Sequence, residues 1–346
     1  MTILNMVWDP SQTQVVVGAP AYQAITNPTQ LPGGSFDTNF SRCSLFAKSD
    51  SYTFTIGLGG TVSELWTHFS LNSDQSSNNA TAQIVVSWGL STFGGGEQIR
   101  MVSTSTSTAA NVYKFQKSTN GGAAWTDIVT TPTTFSVATK QLNRFDIRIK
   151  LHGSAGSIEF YVNEVLRMSY SGALVTQNNS MDYAFFSSDV GIFCTKCYSE
   201  IIFADASTLG YRLYSLTPTG AGAQSDFTGT FADIDDIVPD VTDFINSDTV
   251  GHITLFALSD LSATYNKYGV VAVSALVNAA ITPDSALADL QIALRTSATN
   301  YFTSNLGVTK NSQTYVKKVI LELNPVTSVP WSYTEINALQ LGVKAV

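Results

Sequence analysis

The sequence predicts an all-β protein made of two β-sandwich or jelly-roll domains, with one short helix near the C-terminus. Runs in which apolar and polar residues alternate dominate the chain. Turn signals rich in Gly, Asn and Asp separate these runs, and no long amphipathic helix is visible before Ser207. Many short strands with almost no helix are typical of sandwiches and jelly rolls. The 346 residues also suit two domains of roughly 150 residues each.

Four runs in the first half of the chain show the strand pattern most clearly. They span residues 51–56, 145–151, 157–162 and 165–170. Asn163 and Glu164 separate the last two runs, which predicts a two-residue hairpin turn. Because the second turn position needs a positive φ, we expect backbone strain at Glu164.

The character of the sequence changes near residue 208, which we take as the boundary between a domain 1–208 and a domain 209–346. Strand-like runs resume at 253–258, 270–277, 290–294 and 315–323. Ser332 and Glu335 then form a capping box for a short helix, which Gly342 is expected to end. The Gly-rich runs 57–60 and 94–96 lack the Lys-Ser/Thr of a phosphate-binding loop and are expected to be turns.

The low content of charged residues limits the kinds of partner that this protein can bind. Charged residues make up 13% of the chain, against about 25% in an ordinary soluble protein, and the net charge is −8. Proteins that bind phosphate backbones rely on clustered Lys and Arg, so we expect no nucleic-acid partner. No run approaches the roughly 18 apolar residues that cross a bilayer, and the N-terminus lacks a basic leader. We therefore expect cytoplasmic folding with reduced cysteines and no membrane insertion.

Two groups of motifs carry a resemblance to known families. Residues 142–149, 156–163 and 166–172 resemble the strand and hairpin pattern of laminin-G/concanavalin-A-like jelly rolls, although Glu164 stands where that pattern has Gly. A second group resembles a family of bacteriophage and prophage virion proteins over about residues 142–346; it comprises 201–205, 209–212, 216–222, 227–229, 324–325, 330–331 and 334–344. The resemblance implies a structural component of a phage head or tail that folds in the host bacterium and then joins the virion.

The side chains with the most chemical potential do not complete a site. Cys194 and Cys197 form a C-x-x-C, but a structural zinc ion needs four ligands and no second pair is present. The residues on both sides of this motif have a strand pattern, whereas a redox C-x-x-C normally opens a helix, so a redox role is also disfavoured. Glu159 and Glu164 are the nearest acidic pair in a strand context, but a turn separates them and the spacing is not that of a glycosidase.

The remaining candidates also have simpler explanations. Asp233, Asp235 and Asp236 lack the pattern of a calcium loop and are expected to be solvated. His68 lies in an aromatic strand without a second catalytic group, so we interpret it as structural. We expect no catalytic residue, no cofactor and no bound metal. Aromatic side chains could still stack on sugars; the tryptophans are Trp8, Trp66, Trp88, Trp125 and Trp331.

Three functions follow from these observations. The first is non-enzymatic assembly, in which surfaces of low charge pack against copies of the chain and against other virion proteins. The second is a lectin-like tail adhesin that binds host glycans, and the weaker third is a polysaccharide hydrolase. Few charges protect the strand edges of this chain, for example in residues 253–258 and 268–281. We therefore expect a homo-oligomer whose contacts lie mainly in the second domain, and among the possible oligomers we favour a trimer.

Overall fold

The computed structural model describes residues 2–7, 15–17, 44–46, 52–75, 79–90, 96–107, 110–118, 120–139, 141–174, 178–188, 194–235, 242–311 and 315–346. The chain divides into two compact units, Met1–Leu213 and Tyr214–Val346. Antiparallel sheets dominate both units, and the one α-helix in the described ranges lies near the C-terminus. These features confirm the predicted all-β sandwich class. No helix of the described residues has the length and apolar character to span a membrane.

The first unit is a sandwich of two antiparallel sheets. A seven-stranded sheet has the order β1-β15-β5-β11-β12-β13, with β3 beside β15; an eight-stranded sheet has the order β10-β8-β7-β6-β14-β4-β2, with β9 beside β8. The strand bounds are Ile3–Val7 (β1), Val15–Val17 (β2), Ser44–Phe46 (β3), Tyr52–Val62 (β4), Glu64–Gln75 (β5), Asn79–Gly89 (β6), Glu97–Ser107 (β7), Ala110–Ser118 (β8), Trp125–Asp127 (β9), Phe135–Ala138 (β10), Leu142–Lys150 (β11), Gly156–Val162 (β12), Val165–Gly172 (β13), Met181–Ser188 (β14) and Cys194–Ala204 (β15).

An aromatic core fills the space between the two sheets. Phe145 packs edge-to-face against Phe69, Tyr113 and Phe160, each at a ring-centroid distance of 5.3 Å. Such pairs add stability beyond the burial of their area. Because side chains alternate along a strand, the residues between these aromatic ones point to the outward faces of the sheets. The polar side chains that a ligand could reach therefore lie on the outward faces of the two sheets.

The first unit extends past the predicted boundary at residue 208 to Leu213. The Thr208 hydroxyl donates a 2.6 Å hydrogen bond to Asp146, and the Leu213 backbone N–H donates one of 3.2 Å to Glu200. Both carboxylates belong to the seven-stranded sheet and are buried. These two bonds hold the segment 205–213, which follows β15, to the first unit.

The second unit combines a five-stranded sheet with a two-stranded one. The order of the first is β16-β17-β22-β19-β20, and β18 pairs with β21 in the second. Buried apolar residues, among them Ile292, Trp331 and Ile336, form a core between these elements. The bounds are Pro218–Ser225 (β16), Ile253–Leu258 (β17), Val273–Ala279 (β18), Leu290–Thr296 (β19), Thr299–Phe302 (β20), Tyr315–Leu321 (β21), Tyr333–Asn337 (α1) and Gln340–Ala345 (β22).

The capping box is confirmed, but the role predicted for Gly342 is wrong. The Ser332 hydroxyl accepts from the Glu335 N–H at 3.2 Å, and the Ser332 N–H donates to the Glu335 carboxylate at 2.9 Å. Helix α1 ends at Asn337, whereas Gly342 lies inside β22. A Cβ at position 342 would stand 1.9 Å from the carbonyl oxygen of Thr254 on β17. Glycine is there because two strands approach closely, not because a helix ends.

Local turn chemistry gives one further agreement and one further correction. Asn163 and Glu164 have φ values of 51° and 69°, as the predicted hairpin turn requires. The run 57–60 is not a turn but part of β4, where the pairing with β14 is irregular. Leu58 anchors this irregularity because its side chain is buried in the core. Residues 94 and 95 of the second Gly-rich run lie outside the described residues.

Candidate functional site

The outward face of the eight-stranded sheet carries a compact group of side chains, which we call the Trp125 cluster: Arg100, Lys114, Gln116, Trp125 and Asp127. Strand pairing brings them together, since Arg100 lies opposite Gln116 and Gln116 lies opposite Asp127. Their sequence neighbours on β7 and β8, Met101 and Phe115, point into the core instead. The cluster is therefore a product of strand alternation and sheet order.

Trp125 is held firmly yet remains partly exposed. The guanidinium carbon of Arg100 lies 4.0 Å from the centre of the indole ring, and the indole N–H donates a 2.9 Å hydrogen bond to the carbonyl of Gly122. Trp66, Trp88 and Trp331 are buried, so among the described tryptophans Trp125 alone offers ring surface to solvent. Trp8 lies outside the described residues.

Hydrogen bonds fix the Asp127 carboxylate beside this ring. One oxygen accepts from the Gln116 amide at 2.6 Å, and the other accepts from the Lys114 ammonium at 2.8 Å. Gln116 in turn accepts from Arg100 Nε at 2.8 Å. The bonds from Lys114 and Gln116 lower the pKa of Asp127, so the carboxyl group is ionised at neutral pH. Since the side chain is 51% exposed, it can also accept hydrogen bonds from a ligand.

The outward face of the seven-stranded sheet holds a different charged group, centred on Arg148. Its guanidinium binds Glu64 at 2.8 Å and Glu159 at 2.5 Å. The Tyr161 hydroxyl donates to Glu159 at 2.7 Å, and burial together with this carboxylate raises the pKa of Tyr161 to about 12. Glu164, the other member of the acidic pair noted in the sequence, binds Arg212 at 2.7 Å. The two acids of that pair thus have different arginine partners.

A shallow groove of about 530 Å³ lies at the β12–β13 edge of this sheet, and we call it the serine groove. Hydroxyl groups dominate its lining, which includes Thr131, Ser157, Ser169 and Ser171, together with the Glu159 carboxylate. The loop 128–134 reaches the groove from β9, and Thr131 and Ser169 exchange backbone hydrogen bonds of 2.7 and 3.0 Å. The loop follows Asp127 in the chain, but the Trp125 cluster lies on the outward face of the eight-stranded sheet and the serine groove on that of the seven-stranded sheet.

His68 is part of a buried network. Its Nδ1 lies 2.9 Å from Oδ1 of Asp146, and this oxygen also accepts from Thr208 at 2.6 Å. All three residues are buried, which leaves no path for a substrate and agrees with a structural role. The sequence did not reveal Asp146 or Thr208 as partners, because they lie far from His68 along the chain.

The other sequence candidates do not converge on a site. Cys194 and Cys197 both lie on β15, with Gln75 and Asn72 as their backbone partners on β5. Asp233 accepts from the Thr230 N–H at 2.6 Å within a short 3₁₀ turn, and this bond lowers the pKa of Asp233. Asp235 is exposed, and Asp236 lies outside the described residues. In the described ranges, no three or more His, Cys, Asp or Glu side chains are grouped as metal ligands.

Comparisons with known proteins find solved structures at low sequence identity and low structural similarity. No family model and no curated protein matches the sequence. Among solved structures, alginate lyase vAL-1 from Chlorella virus is 8% identical with a TM-score of 0.37, over 59% of this chain and 100% of that one. The potassium-bound carbohydrate recognition domain of Emp46p is 7% identical with a TM-score of 0.35, over 48% and 84%. The receptor-binding domain of botulinum neurotoxin type G is 9% identical with a TM-score of 0.31, over 88% and 87%.

Proposed function

We propose that this is a non-enzymatic glycan-binding protein, and that the Trp125 cluster is its sugar-contacting site. The observation that carries the proposal is a partly exposed indole ring, stacked on Arg100, beside the fixed carboxylate of Asp127. An aromatic face packs on the C–H face of a pyranose, while a carboxylate accepts hydrogen bonds from its hydroxyl groups. Side chains that are already held in place lose little entropy when a ligand binds.

The serine groove supports the same class of ligand as a separate, second contact surface. Its hydroxyls both donate and accept hydrogen bonds, as sugar hydroxyls do. We propose the cluster as the primary contact, because the groove lacks an exposed tryptophan.

Two observations support a binding role rather than hydrolysis. Glycoside hydrolysis needs one carboxyl group that stays protonated near neutral pH and a second that acts opposite it. A lowered pKa keeps Asp127 ionised and therefore opposes a general-acid role for this residue, while Glu64 and Glu159 are both engaged in ion pairs with Arg148.

A panel of immobilised glycans, probed with the full-length protein, tests this function. We expect Trp125→Ala to weaken binding at least about tenfold, which is roughly 1.4 kcal/mol, and Trp125→Phe to retain most of it. Tyr268→Ala is the matched control, since Tyr268 is an exposed aromatic residue of the second unit. Equal binding by the wild type and Trp125→Ala, or release of reducing sugar by the wild type, would overturn the proposal.

A second candidate, a structural role in a bacteriophage particle, is favoured by the surface of the second unit. Phe244, Val250 and Val329 are 58%, 60% and 50% exposed. Large exposed apolar side chains are typical anchors of protein–protein contacts. Together with the resemblance over residues 142–346, they support a chain that folds in the host bacterium and joins other virion proteins.

Mass spectrometry and immunogold labelling of purified particles test this second role. We expect the chain as a stoichiometric component, and its absence from particles would contradict the role. The two candidates are compatible, because a glycan-binding chain on a particle is an adhesin. Particle association without glycan binding would leave assembly as the function.

A further inference from the structure

We infer that the outer edge of β18 is a self-association surface, where a second copy of the chain adds its own β18 in antiparallel orientation. Strand β18 pairs on one side with β21, from Val273 opposite Leu321 to Ala279 opposite Tyr315. Within the described ranges, neither a strand nor a backbone hydrogen bond reaches its other side. An unpaired edge is a template for another strand, and a two-stranded sheet gains stability when it is extended.

The edge of β18 lacks the usual protection against pairing. Proteins guard free edges with charges, prolines, bulges or very short strands. In the second unit, β16 begins at Pro218 and is irregularly paired, β20 is short, and β21 carries Lys317 and Lys318. Strand β18 has the sequence VSALVNA, and no charged residue occurs anywhere in 268–283. Among the strand edges of the second unit that the structure describes, the edge of β18 is therefore the most open to pairing.

The same lack of charge identifies the occupant as a second copy. In a two-fold antiparallel pair, each strand faces itself, so any charge on the strand would lie close to an identical charge. Strand β18 has none, whereas pairing through β21 would bring lysines of both copies together. Two-fold dimers are also the commonest homo-oligomers. The result is a four-stranded sheet in the order β21-β18-β18-β21, and hence a dimer rather than the trimer expected from the sequence.

The side chains on the far face of the small sheet fit this arrangement. Ser274 and Leu276 are half-buried and Asn278 is exposed, and all three point away from the core side chains Val273, Ala275 and Val277. Substitutions at positions 274 and 278 therefore alter the side chains beside the free edge of β18 and leave the core side chains of this strand in place. Asn278 is exposed and Ser274 is half-buried, so lysines at these two positions place charge beside the edge and allow a direct test.

Sedimentation of the full-length chain over a range of concentrations tests the inference. We expect a dimer that Ser274→Lys with Asn278→Lys weakens at least about tenfold, and that Thr299→Lys on β20 leaves unchanged. A wild-type monomer, a lysine variant that still dimerises, or an oligomer with β18 unprotected would each overturn it. Hydrogen exchange of the wild type gives a second measurement, since the β18 amides that point away from β21 should be protected only at concentrations that form the dimer. This outcome does not depend on glycan binding, which belongs to the first unit.

Discussion

His68 and Asp146 lie directly opposite each other on β5 and β11, with Nδ1 of the imidazole 2.9 Å from Oδ1 of the carboxylate. Thr208 donates to the same oxygen, so the segment after β15 is attached to the outward face of the sheet. A buried carboxylate is costly unless donors surround it. The attachment of 205–213 therefore depends on this network.

Thr208→Val tests the network because valine has nearly the same shape but no hydroxyl donor. We expect the free energy of unfolding to fall by about 1–3 kcal/mol, because a buried acceptor loses one of its hydrogen-bond donors. Thr133→Val is the control, since Thr133 is exposed. Urea unfolding of both variants measures the difference, and equal stability would refute the role of Thr208.

Gly342→Ala should strongly destabilise the second unit. The added Cβ would stand 1.9 Å from the Thr254 carbonyl oxygen, so β17 and β22 could not keep their spacing. We expect a loss of about 3 kcal/mol, at the upper end for overpacked sites. Gly220→Ala is the matched control on β16, where a Cβ meets no atom within 4 Å. Similar melting temperatures of the two variants would contradict the close approach.

The partly buried ammonium group of Lys318 should make the stability of the folded protein depend on pH. Burial lowers its pKa from 10.5 to about 8, so between these values the unfolded chain binds a proton that the folded chain has lost. The free energy of unfolding should therefore rise with pH from about 8 to 10.5, by about 3 kcal/mol in total. Lys318→Met should remove this rise.

The difference between wild type and Lys318→Met isolates this effect from other titrations. Tyr161 and Tyr183 have pKa values raised to about 12, which gives stability that is lost as the pH rises above 10. Both tyrosines are present in both proteins and cancel in the comparison. Identical pH slopes in urea unfolding at pH 8–10 would show that Lys318 stays solvated.

Ala298→Gly should stabilise the second unit. Ser297 and Ala298 join β19 to β20 with φ values of 48° and 64°, a region that costs about 1–2 kcal/mol for a residue with a Cβ. Glycine removes this cost, so we expect a gain of about 1 kcal/mol. At Ala280, which lacks a positive φ, the same change should destabilise slightly. A loss of stability at position 298 in thermal unfolding would argue against strain.

Features that depend only on residues close together in the chain could be predicted from the sequence. The turn at Asn163 and Glu164 and the cap at Ser332 follow from spacing alone, and the structure confirms both. The Trp125 cluster could not be predicted as a unit, because Arg100 meets Trp125 only through the order of β7, β8 and β9. No local pattern encodes sheet order. The prediction for Gly342 is wrong for a related reason. A glycine shortly after a helix can end that helix or can allow two strands to approach closely, and only the sheet order shows that Gly342 does the second.

The pairing of β1 with β15 has a consequence for biosynthesis. Ile3 lies opposite Ala204, so the sheet joins the first strand of the unit to the last. On the ribosome, β1 must wait for β15, and the side of β5 away from β11 stays open until then, while hairpins such as β12–β13 can form early. Long-range pairing of this kind slows folding and leaves apolar edges uncovered in the meantime. Nascent chains that stop before Ala204 should therefore be captured by chaperones and cleaved by proteases, whereas chains that have passed Leu213 should resist both.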